Sequence, residues 1–542
     1  MTLLPVLFLS AASALASSLP SNSSSSLIPS SSSLLSLPRP SADSLSSPAS
    51  AARSACQSIS KSLGNAVVLS SGTSEYNFTQ HNAWNFQNTL FAPTCIVYPR
   101  NAGHVQTAMR AIFKAKSRYA VQSGSHSAVK GWNTVQDGVL ISFSHMQAVS
   151  YDAKAQSVTI EPGVHWGAAT DQLSAQGVAV VGGRVGDVGT GLLLGGGVSF
   201  LSPAEGWAAD NFLSVDIVLV DGTLVTATGT NKYSDLFKAL KGGANRFGIA
   251  TKYTVRAVNV GTKQDTPFFG GVTIFDGSAA PALAKATAKY TRTVTDSKAS
   301  LLTTISTTIT NGTVQQVCVL FMFYRGTSLP QSIFGDFLAI PSLQQSLTPL
   351  TWTQILPQTD PPQFVSSARG FVQHVSSSAL TLPPASSGPA APADPAGDAL
   401  VQDALTHYLN YTATFINAKS KSGMGNAALT LTPVLASQLA AGRAKGGNVM
   451  VSPDLKHPFL MVQLSEQFLP GVSDIPPFVQ AGMDLFLKQV PASKGLPLFI
   501  NECDKKQEVF KSYAGYEFLK ETYRKYDPTR FNVQFTDGPS GL

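Results

Sequence analysis

The chain has few charged residues, and they form no long cluster. Asp, Glu, Lys and Arg make up 13% of its 542 residues, and the net charge of +7 is spread thinly. No run of Lys and Arg resembles the basic patch with which proteins hold nucleic acid, so that class of partner is excluded. After the N-terminus, no stretch reaches the roughly 18 consecutive apolar residues of a membrane-spanning helix, which excludes a membrane protein.

Cysteine is also scarce, with four residues in the chain. Cys56 and Cys95 are predicted to form a disulfide, which in the chain-entropy model contributes about 4 kcal/mol for a loop of that size. Cys318 and Cys503 lie far apart in sequence. Each is predicted to be a buried free thiol, with a second bridge as the alternative, and we predict no metal site.

The N-terminus has the composition of an exported protein. Residues 1–16 combine a short apolar run with a small-residue site that ends at Ala16, which predicts a signal peptide and secretion. Residues 17–50 are rich in Ser, Pro and Leu and are predicted to be disordered, because they can bury little apolar surface. Four glycosylation sequons begin at Asn22, Asn77, Asn311 and Asn410.

Hydrophobic periodicity predicts an α+β protein with two domains. Residues 51–265 alternate short strands with helices, as in the apolar positions at helical spacing from Val105 to Phe113. Residues 266–480 contain long runs rich in Thr, Val and Phe, which predict a substrate domain built on a large antiparallel sheet. Residues 481–542 are predicted to contain a strand from Leu498 to Asn501 and a helix up to Tyr526, and to return to the first domain.

Two glycine-rich stretches are the most informative local feature. The first is Gln122-Ser123-Gly124-Ser125-His126-Ser127, and the second runs from Gly182 to Gly191 and continues through Gly197. Glycine has no Cβ, so backbone N–H groups in such loops can close around a phosphate. Together the stretches predict a large phosphate-containing cofactor held by backbone. A Rossmann site is excluded, because no G-x-G-x-x-G opens a helix after the first strand with an acidic residue about 20 positions later.

Further motifs extend this pattern along the chain. They are Tyr98-Pro99, Val121 to Ser127, Gly182-Gly183-Arg184, Val188 to Gly197, Asp210-Asn211, Asp235 to Gly243, and Asn245 to Thr251. Their order and spacing resemble the FAD-binding domain of the para-cresol methylhydroxylase (PCMH) and vanillyl-alcohol oxidase superfamily. The closer match is to the berberine-bridge-enzyme-like FAD-linked oxidases of fungi and plants. The resemblance covers residues 56–258 well, 499–532 fairly and the substrate region poorly, and it implies a two-domain PCMH-type fold that binds FAD.

The resemblance also implies roles for single residues. His126 matches the histidine that bonds to the 8α-methyl carbon of the flavin, and a neutral imidazole is a suitable nucleophile. The family usually has glycine where Ser125 stands. Val185 occupies the position of a cysteine that makes a second bond in many relatives, which implies attachment through one histidine. Val188 matches the residue that admits dioxygen. The other implied cofactor-binding residues are Gln122, Ser123, Gly124, Ser127, Gly182, Gly183, Gly189, Gly191, Asn211, Ile249 and Asn501.

The implied activity is that of a monomeric oxidase. It would transfer a hydride from a small alcohol, amine or secondary-metabolite intermediate to FAD, and dioxygen would accept the electrons to give hydrogen peroxide. Relatives often carry a tyrosine that acts as the catalytic base where Phe499 stands. Phenylalanine has no hydroxyl, so the role of base does not transfer to Phe499. Glu466 on a predicted strand is a candidate base, with a solvated strand-end carboxylate as the alternative. An oligosaccharide oxidase, which Val185 disfavours, and a secreted flavin-binding protein without turnover are the alternative functions.

Overall fold

The computed structural model describes residues 47–310, 312–359, 370–382, 395–417 and 419–542. The predicted signal peptide, most of the Ser-rich segment and the sequons at Asn22 and Asn311 lie outside the described residues. Disorder as far as residue 50 is a wrong prediction, because a helix begins at Pro48. Ser47 caps this helix by accepting a hydrogen bond from the backbone N–H of Ser50, and the helix buries a face that includes Ala55.

Three sheets form the first part of the described chain. Their strands are β1 (Val68–Leu69), β2 (Cys95–Val97), β3 (Tyr119–Gln122), β4 (Val139–Ser142), β5 (Val149–Asp152), β6 (Ser157–Ile160), β7 (Val178–Ala179), β8 (Phe212–Val218), β9 (Leu224–Thr228), β10 (Ile249–Arg256) and β11 (Val258–Asn259). The orders are β1-β2-β4-β3, β5-β6-β10-β8-β9 and β11-β7. β4 is parallel to both β2 and β3, and the other pairings are antiparallel.

Helices cover these sheets. They are α1 (Pro48–Leu63), α2 (Ser74–His81), α3 (Phe86–Thr89), α4 (Ala102–Ala115), α5 (Trp166–Leu173), α6 (Gly191–Leu194), α7 (Ser202–Glu205) and α8 (Ser234–Ala239). α4 buries Val105, Met109 and Ile112 on one face, as its apolar spacing predicts. The Cys56–Cys95 disulfide joins α1 to β2 and is confirmed.

A seven-stranded antiparallel sheet forms the second part, and the predicted α+β class with a large antiparallel sheet is confirmed. Its strands are β12 (Phe268–Asp276), β13 (Ala299–Thr310), β14 (Thr313–Tyr324), β15 (Gln344–Leu350), β16 (Gln373–Thr381), β17 (Met424–Val434) and β18 (Phe459–Phe468). The order is β15-β12-β14-β13-β17-β18-β16, so β16 is an edge strand. The remaining α-helices are α9 (Ala280–Thr293), α10 (Gln331–Leu338), α11 (Leu356–Thr359), α12 (Pro395–Phe415), α13 (Ala436–Ala444), α14 (Pro477–Gln489), α15 (Tyr516–Tyr526) and α16 (Phe531–Phe535).

Both faces of this sheet are covered. Leu301 and Leu460 belong to a core that the sheet shares with α9, α12 and α14. Their chain neighbours Leu302 and Met461 point the other way, into the core of the first part. Because side chains alternate along a strand, the sheet separates a helix-covered face from a face turned toward the glycine-rich stretches.

The C-terminal stretch returns to the first part of the chain, as predicted. Arg246 is buried and donates to the backbone carbonyls of Asn532, Thr536 and Pro539 at 2.8–3.1 Å. The strand predicted from Leu498 to Asn501 is wrong, because residues 500–502 form a single 3₁₀ turn. Pro497 lacks the N–H group of a strand ladder, and the backbone–backbone hydrogen bonds that follow, from Glu502 to Phe499 and from Cys503 to Ile500, are local.

Candidate functional site

The two glycine-rich stretches meet side by side. The hydroxyls of Ser123 and Thr190 both donate to the backbone carbonyl of Pro162 at 2.6 Å. A Cβ on Gly124 would lie 2.4 Å from the backbone nitrogen of Gly189, and a Cβ on Gly189 would lie 2.4 Å from that of Gly124. Two backbones in such close contact leave no room for a side chain at either position.

A cavity of about 530 Å³ opens beside this contact, within the range of roughly 300–1,000 Å³ for small-molecule and cofactor sites. Most of the predicted cofactor residues line it: Ser123, Gly124, Ser125, His126, Ser127, Val188, Gly189, Gly191, Ile249 and Asn501. The seven-stranded sheet supplies a facing wall of Leu302, Thr304, Phe321, Val375, Thr430 and Gln463. Val185 and Phe499 also line the cavity.

Four predicted cofactor residues do not line the cavity: Gln122, Gly182, Gly183 and Asn211. A Cβ on either Gly182 or Gly183 would lie 2.4 Å from the indole of Trp166, so these glycines make room for a core side chain. Asn211 is buried and donates to the backbone carbonyl of Trp207 at 2.9 Å. Gly182, Gly183 and Asn211 therefore take part in internal packing, and the approach of all four positions to the cofactor stays a prediction.

His126 is held on the cavity wall by two neighbours. Its ring stacks on Trp84 with a centroid distance of 4.4 Å and an interplanar angle of 14°. Its Nε2 lies 3.4 Å from Oδ1 of Asp187. The preceding residue, Ser125, has a φ of 60°, a left-handed conformation that explains why the resembling family usually has glycine there.

Several polar atoms at the cavity lack a partner. Ser125 Oγ, Trp132 Nε1 and both side-chain amide atoms of Asn133 are buried without a hydrogen bond within the described chain. A buried polar group without a partner costs about 1–3 kcal/mol, so their concentration in one cavity indicates a polar ligand. Among the described lining residues, the only Lys or Arg is Arg184. Backbone N–H groups of the glycine-rich stretches would therefore meet the charge of a pyrophosphate, and the residues fit FAD.

An ion pair at the cavity was not predicted from the sequence. Arg184 Nη2 lies 3.2 Å from Oε1 of Glu502, and Arg184 Nη1 donates to Thr432 at 3.0 Å. Burial raises the pKa of Glu502, and the charge of Arg184 offsets part of this rise. Glu502 is the only carboxylate among the described lining residues. The sequence offered one signal for a role of Glu502, its position directly after the predicted cofactor residue Asn501.

Glu466 is not brought to the cavity. It lies on the helix-covered face of β18 and is 1% exposed, so the alternative of a solvated strand-end carboxylate is wrong. His374 Nδ1 lies 2.9 Å from Glu466, and the hydroxyl of Tyr411 donates to Glu466 at 3.1 Å. The other ring nitrogen of His374 lies 3.0 Å from Asp504. Burial alone would lower the pKa of His374, but the two carboxylates outweigh it and raise the pKa to about 10.

The two remaining cysteines are buried and free, as predicted, and Cys503 lines the cavity. Throughout the described ranges, no helix is long and apolar enough to cross a bilayer. The same ranges contain no group of His, Cys, Asp and Glu arranged to hold a metal ion.

The glycine contact gives a first testable prediction. Gly189→Ala is expected to lower the free energy of unfolding by about 1–3 kcal/mol, because the new methyl group collides with the backbone at Gly124. Gly191→Ala is the matched control, since a Cβ there meets no atom within 4 Å. It should leave the unfolding of the FAD-free protein unchanged but weaken FAD binding, because the methyl group enters the cavity. Denaturant unfolding and FAD titration test both expectations, and an equal loss of stability in the two variants would contradict them.

The comparisons with known proteins agree with this site. A sequence family described as an FAD binding domain matches residues 93–228. The chain is 31% identical over 478 residues to an FAD-dependent monooxygenase of Arthrobotrys oligospora, which covers 85% of this chain and 84% of that protein. It is 30% identical over 404 residues to an uncharacterized FAD-linked oxidoreductase of Arthroderma benhamiae, covering 74% and 75%.

Among solved structures, wild-type BBE-like 1 of Physcomitrella patens superposes with a TM-score of 0.68. That comparison covers 90% of this chain and 98% of the other, and at 21% identity it shows a shared fold. The two fungal relatives match most of their own length, so the family is established by sequence. The chain therefore belongs to the family of FAD-linked oxidoreductases and is an FAD-dependent enzyme.

Proposed function

We propose that the protein is an oxidase that carries FAD on His126 and oxidises a small organic substrate. The observation that carries the proposal is that one cavity is lined by His126, by both glycine-rich stretches and by the unsatisfied polar atoms of Ser125, Trp132 and Asn133. FAD, when bound, supplies the two-electron chemistry that accepts a hydride from a C–H bond. The protein contributes binding, orientation and proton transfer.

The facing sheet supports a compact organic molecule as the substrate. Leu302, Phe321 and Val375 form apolar wall, and Thr304, Thr430 and Gln463 add neutral polar groups. Such a wall excludes water and orients a compact molecule that carries a hydroxyl or amine group. Glu502 accepts the proton that leaves this group, because it is the carboxylate among the described lining residues and Arg184 fixes its position.

Dioxygen is the proposed electron acceptor. Val188 lines the cavity at the position that resembles the oxygen gate of the family. Its side chain is small, which supports access of dioxygen to the cofactor. Val185 lines the same cavity and offers no nucleophile for a second covalent bond, which supports attachment through His126 alone.

The experiment has two parts. The purified protein should show the visible absorption bands of a flavin, and the yellow colour should stay with the protein after acid precipitation. His126→Ala should bind FAD but release it into the acid supernatant. A panel of alcohols, amines and cello- and chito-oligosaccharides, assayed for hydrogen peroxide, identifies the substrate class. A colourless protein would overturn the proposal, and peroxide formation from the oligosaccharides alone would favour the oligosaccharide alternative.

A monooxygenase is the second candidate, because the relative from Arthrobotrys oligospora has that name and is 31% identical. Isotopically labelled dioxygen separates the two activities. An oxidase releases the label as hydrogen peroxide in a one-to-one ratio with product, whereas a monooxygenase transfers one labelled atom into the product.

We also propose that the chain is secreted as a monomeric glycoprotein. The Cys56–Cys95 disulfide is typical of oxidising compartments, and Asn77 and Asn410 are exposed on the surface. Digestion with a glycosidase should lower the mass of the protein recovered from the culture medium. The same preparation should elute as one chain in size-exclusion chromatography with light scattering.

A further inference from the structure

We propose that Asp187 is a positioning residue that prepares His126 for covalent attachment of the cofactor, by accepting the proton of the imidazole ring. The inference rests on the proposed attachment at His126. A carboxylate only accepts hydrogen bonds at neutral pH, so its oxygen 3.4 Å from Nε2 favours the tautomer with the ring proton on Nε2. In that tautomer the lone pair, and therefore the nucleophile, is on Nδ1.

Backbone hydrogen bonds on residues 186–188 position the Asp187 carboxylate next to His126. His165 Nδ1 donates to the backbone carbonyl of Asp187 at 2.6 Å, which fixes the tautomer of His165 because a carbonyl only accepts. The two chain neighbours of Asp187 are held as well. The backbone N–H of Gly167 donates to the carbonyl of Gly186 at 2.8 Å, and the backbone N–H of Trp166 donates to the carbonyl of Val188 at 3.1 Å. The N-terminal end of α5 therefore holds residues 186–188 in one conformation.

The pair is also largely shielded from solvent. Both side chains are about four-fifths buried, with 20% of His126 and 19% of Asp187 exposed. Within the described chain, the Asp187 carboxylate has no ion-pair partner other than His126. Trp84 stacks on the ring and restricts its tilt, which adds to the effect of Asp187 on the orientation of His126.

Attachment joins Nδ1 of His126 to the 8α carbon of the flavin. The methyl group gives up one C–H proton, and the imidazole gives up its Nε2 proton to Asp187. The electron pair of the broken C–H bond reduces the flavin ring. Dioxygen, the acceptor of the proposed oxidase, takes this pair together with the two protons and leaves as hydrogen peroxide. Transfer of the Nε2 proton to Asp187 lets the ring stay neutral as the bond forms.

The test compares bound FAD with the share that acid precipitation leaves on the protein. In Asp187→Asn, the total FAD per chain should equal that of the wild type, but attachment should be slower by about 10²- to 10⁴-fold, the usual contribution of a positioned base. The purified variant should therefore carry largely releasable FAD. In Asp187→Ala, added formate should restore part of the attachment rate, a rescue that a purely structural residue would not show.

Glu75→Gln is the matched control. It removes a carboxylate from another histidine pair, with His145 at 2.7 Å, away from the cavity, and should leave attachment unchanged. Complete attachment in Asp187→Asn at the wild-type rate would overturn the role of Asp187 and leave the anchor at His126 intact. Loss of total FAD from both Asp187 variants would overturn it as well. Release of all FAD from the wild type would instead refute the covalent anchor, and the inference with it.

Discussion

Glu502→Gln is expected to lower kcat by about 10²- to 10⁴-fold while the FAD content stays at the wild-type level. Glutamine keeps the shape of the side chain but cannot take up the substrate proton. The measurement is the initial rate of peroxide formation, with the best substrate of the panel, at saturating concentration. KM should change much less than kcat, because a proton acceptor acts chiefly in the transition state.

The pH profile adds a signature that a loss of folding would not produce. The acceptor must be ionised, so kcat of the wild type should rise with pH through the pKa of Glu502, which burial raises. This rise of kcat with pH should be absent in Glu502→Gln. Glu205→Gln is the matched control, since it breaks a partly buried ion pair with Lys445, at 2.6 Å, outside the cavity. A Glu502→Gln enzyme with the wild-type kcat and pH profile would refute the assignment.

The features that the sequence predicted well are those whose chemistry is local. Glycine is required where two backbones touch, so Gly124 and Gly189 could be recognised from the motifs that contain them. The strand β18 could be predicted from its composition. Because side chains alternate along a strand, the sequence also placed Glu466 correctly on the face of β18 that is opposite to the face of Gln463. The resemblance of ordered motifs then identified the cofactor, which no single motif could have done.

The features that the sequence did not reveal depend on contacts between distant parts of the chain. Gly182 and Gly183 make room for the indole of Trp166, at least 16 positions earlier in the chain. The burial of Glu466 depends on His374, which is 92 positions away. Glu502 was missed because its meaning depends on Arg184, 318 positions earlier. Spacing along a sequence does not report such pairings.

His374→Gln is expected to lower the free energy of unfolding by about 3–5 kcal/mol at neutral pH. His374 is buried between Glu466 and Asp504, and glutamine leaves both carboxylates without the cation that compensates their charge. Denaturant unfolding measures the loss. His145→Gln is the control, because His145 pairs with Glu75 on the surface and exposed pairs contribute about 0–1 kcal/mol.

The pH dependence of stability follows from the same cluster. The contacts in the folded protein raise the pKa of His374 to about 10 from the ordinary value of 6.5, which applies to the unfolded chain. Protonation of His374 therefore stabilises the fold fully below about pH 6.5, and this contribution is lost as the pH rises toward 10. The wild type should lose stability across that interval, whereas His374→Gln should be nearly independent of pH there. A parallel decline in both proteins would contradict the assignment.

The cluster also connects stability to catalysis. Gln507 bonds to both backbone groups of Ser377 on the edge strand β16, at 2.7 and 2.9 Å, and Asp504 bonds to His374 on the same strand. Glu502 lies in the segment that these contacts hold. His374→Gln should therefore lower kcat even under conditions in which the variant is still folded. Its kcat should still rise with pH through the pKa of Glu502. If kcat stays at the wild-type value while stability falls, the cluster supports the fold alone, and the 3₁₀ turn that carries Glu502 holds its position without it.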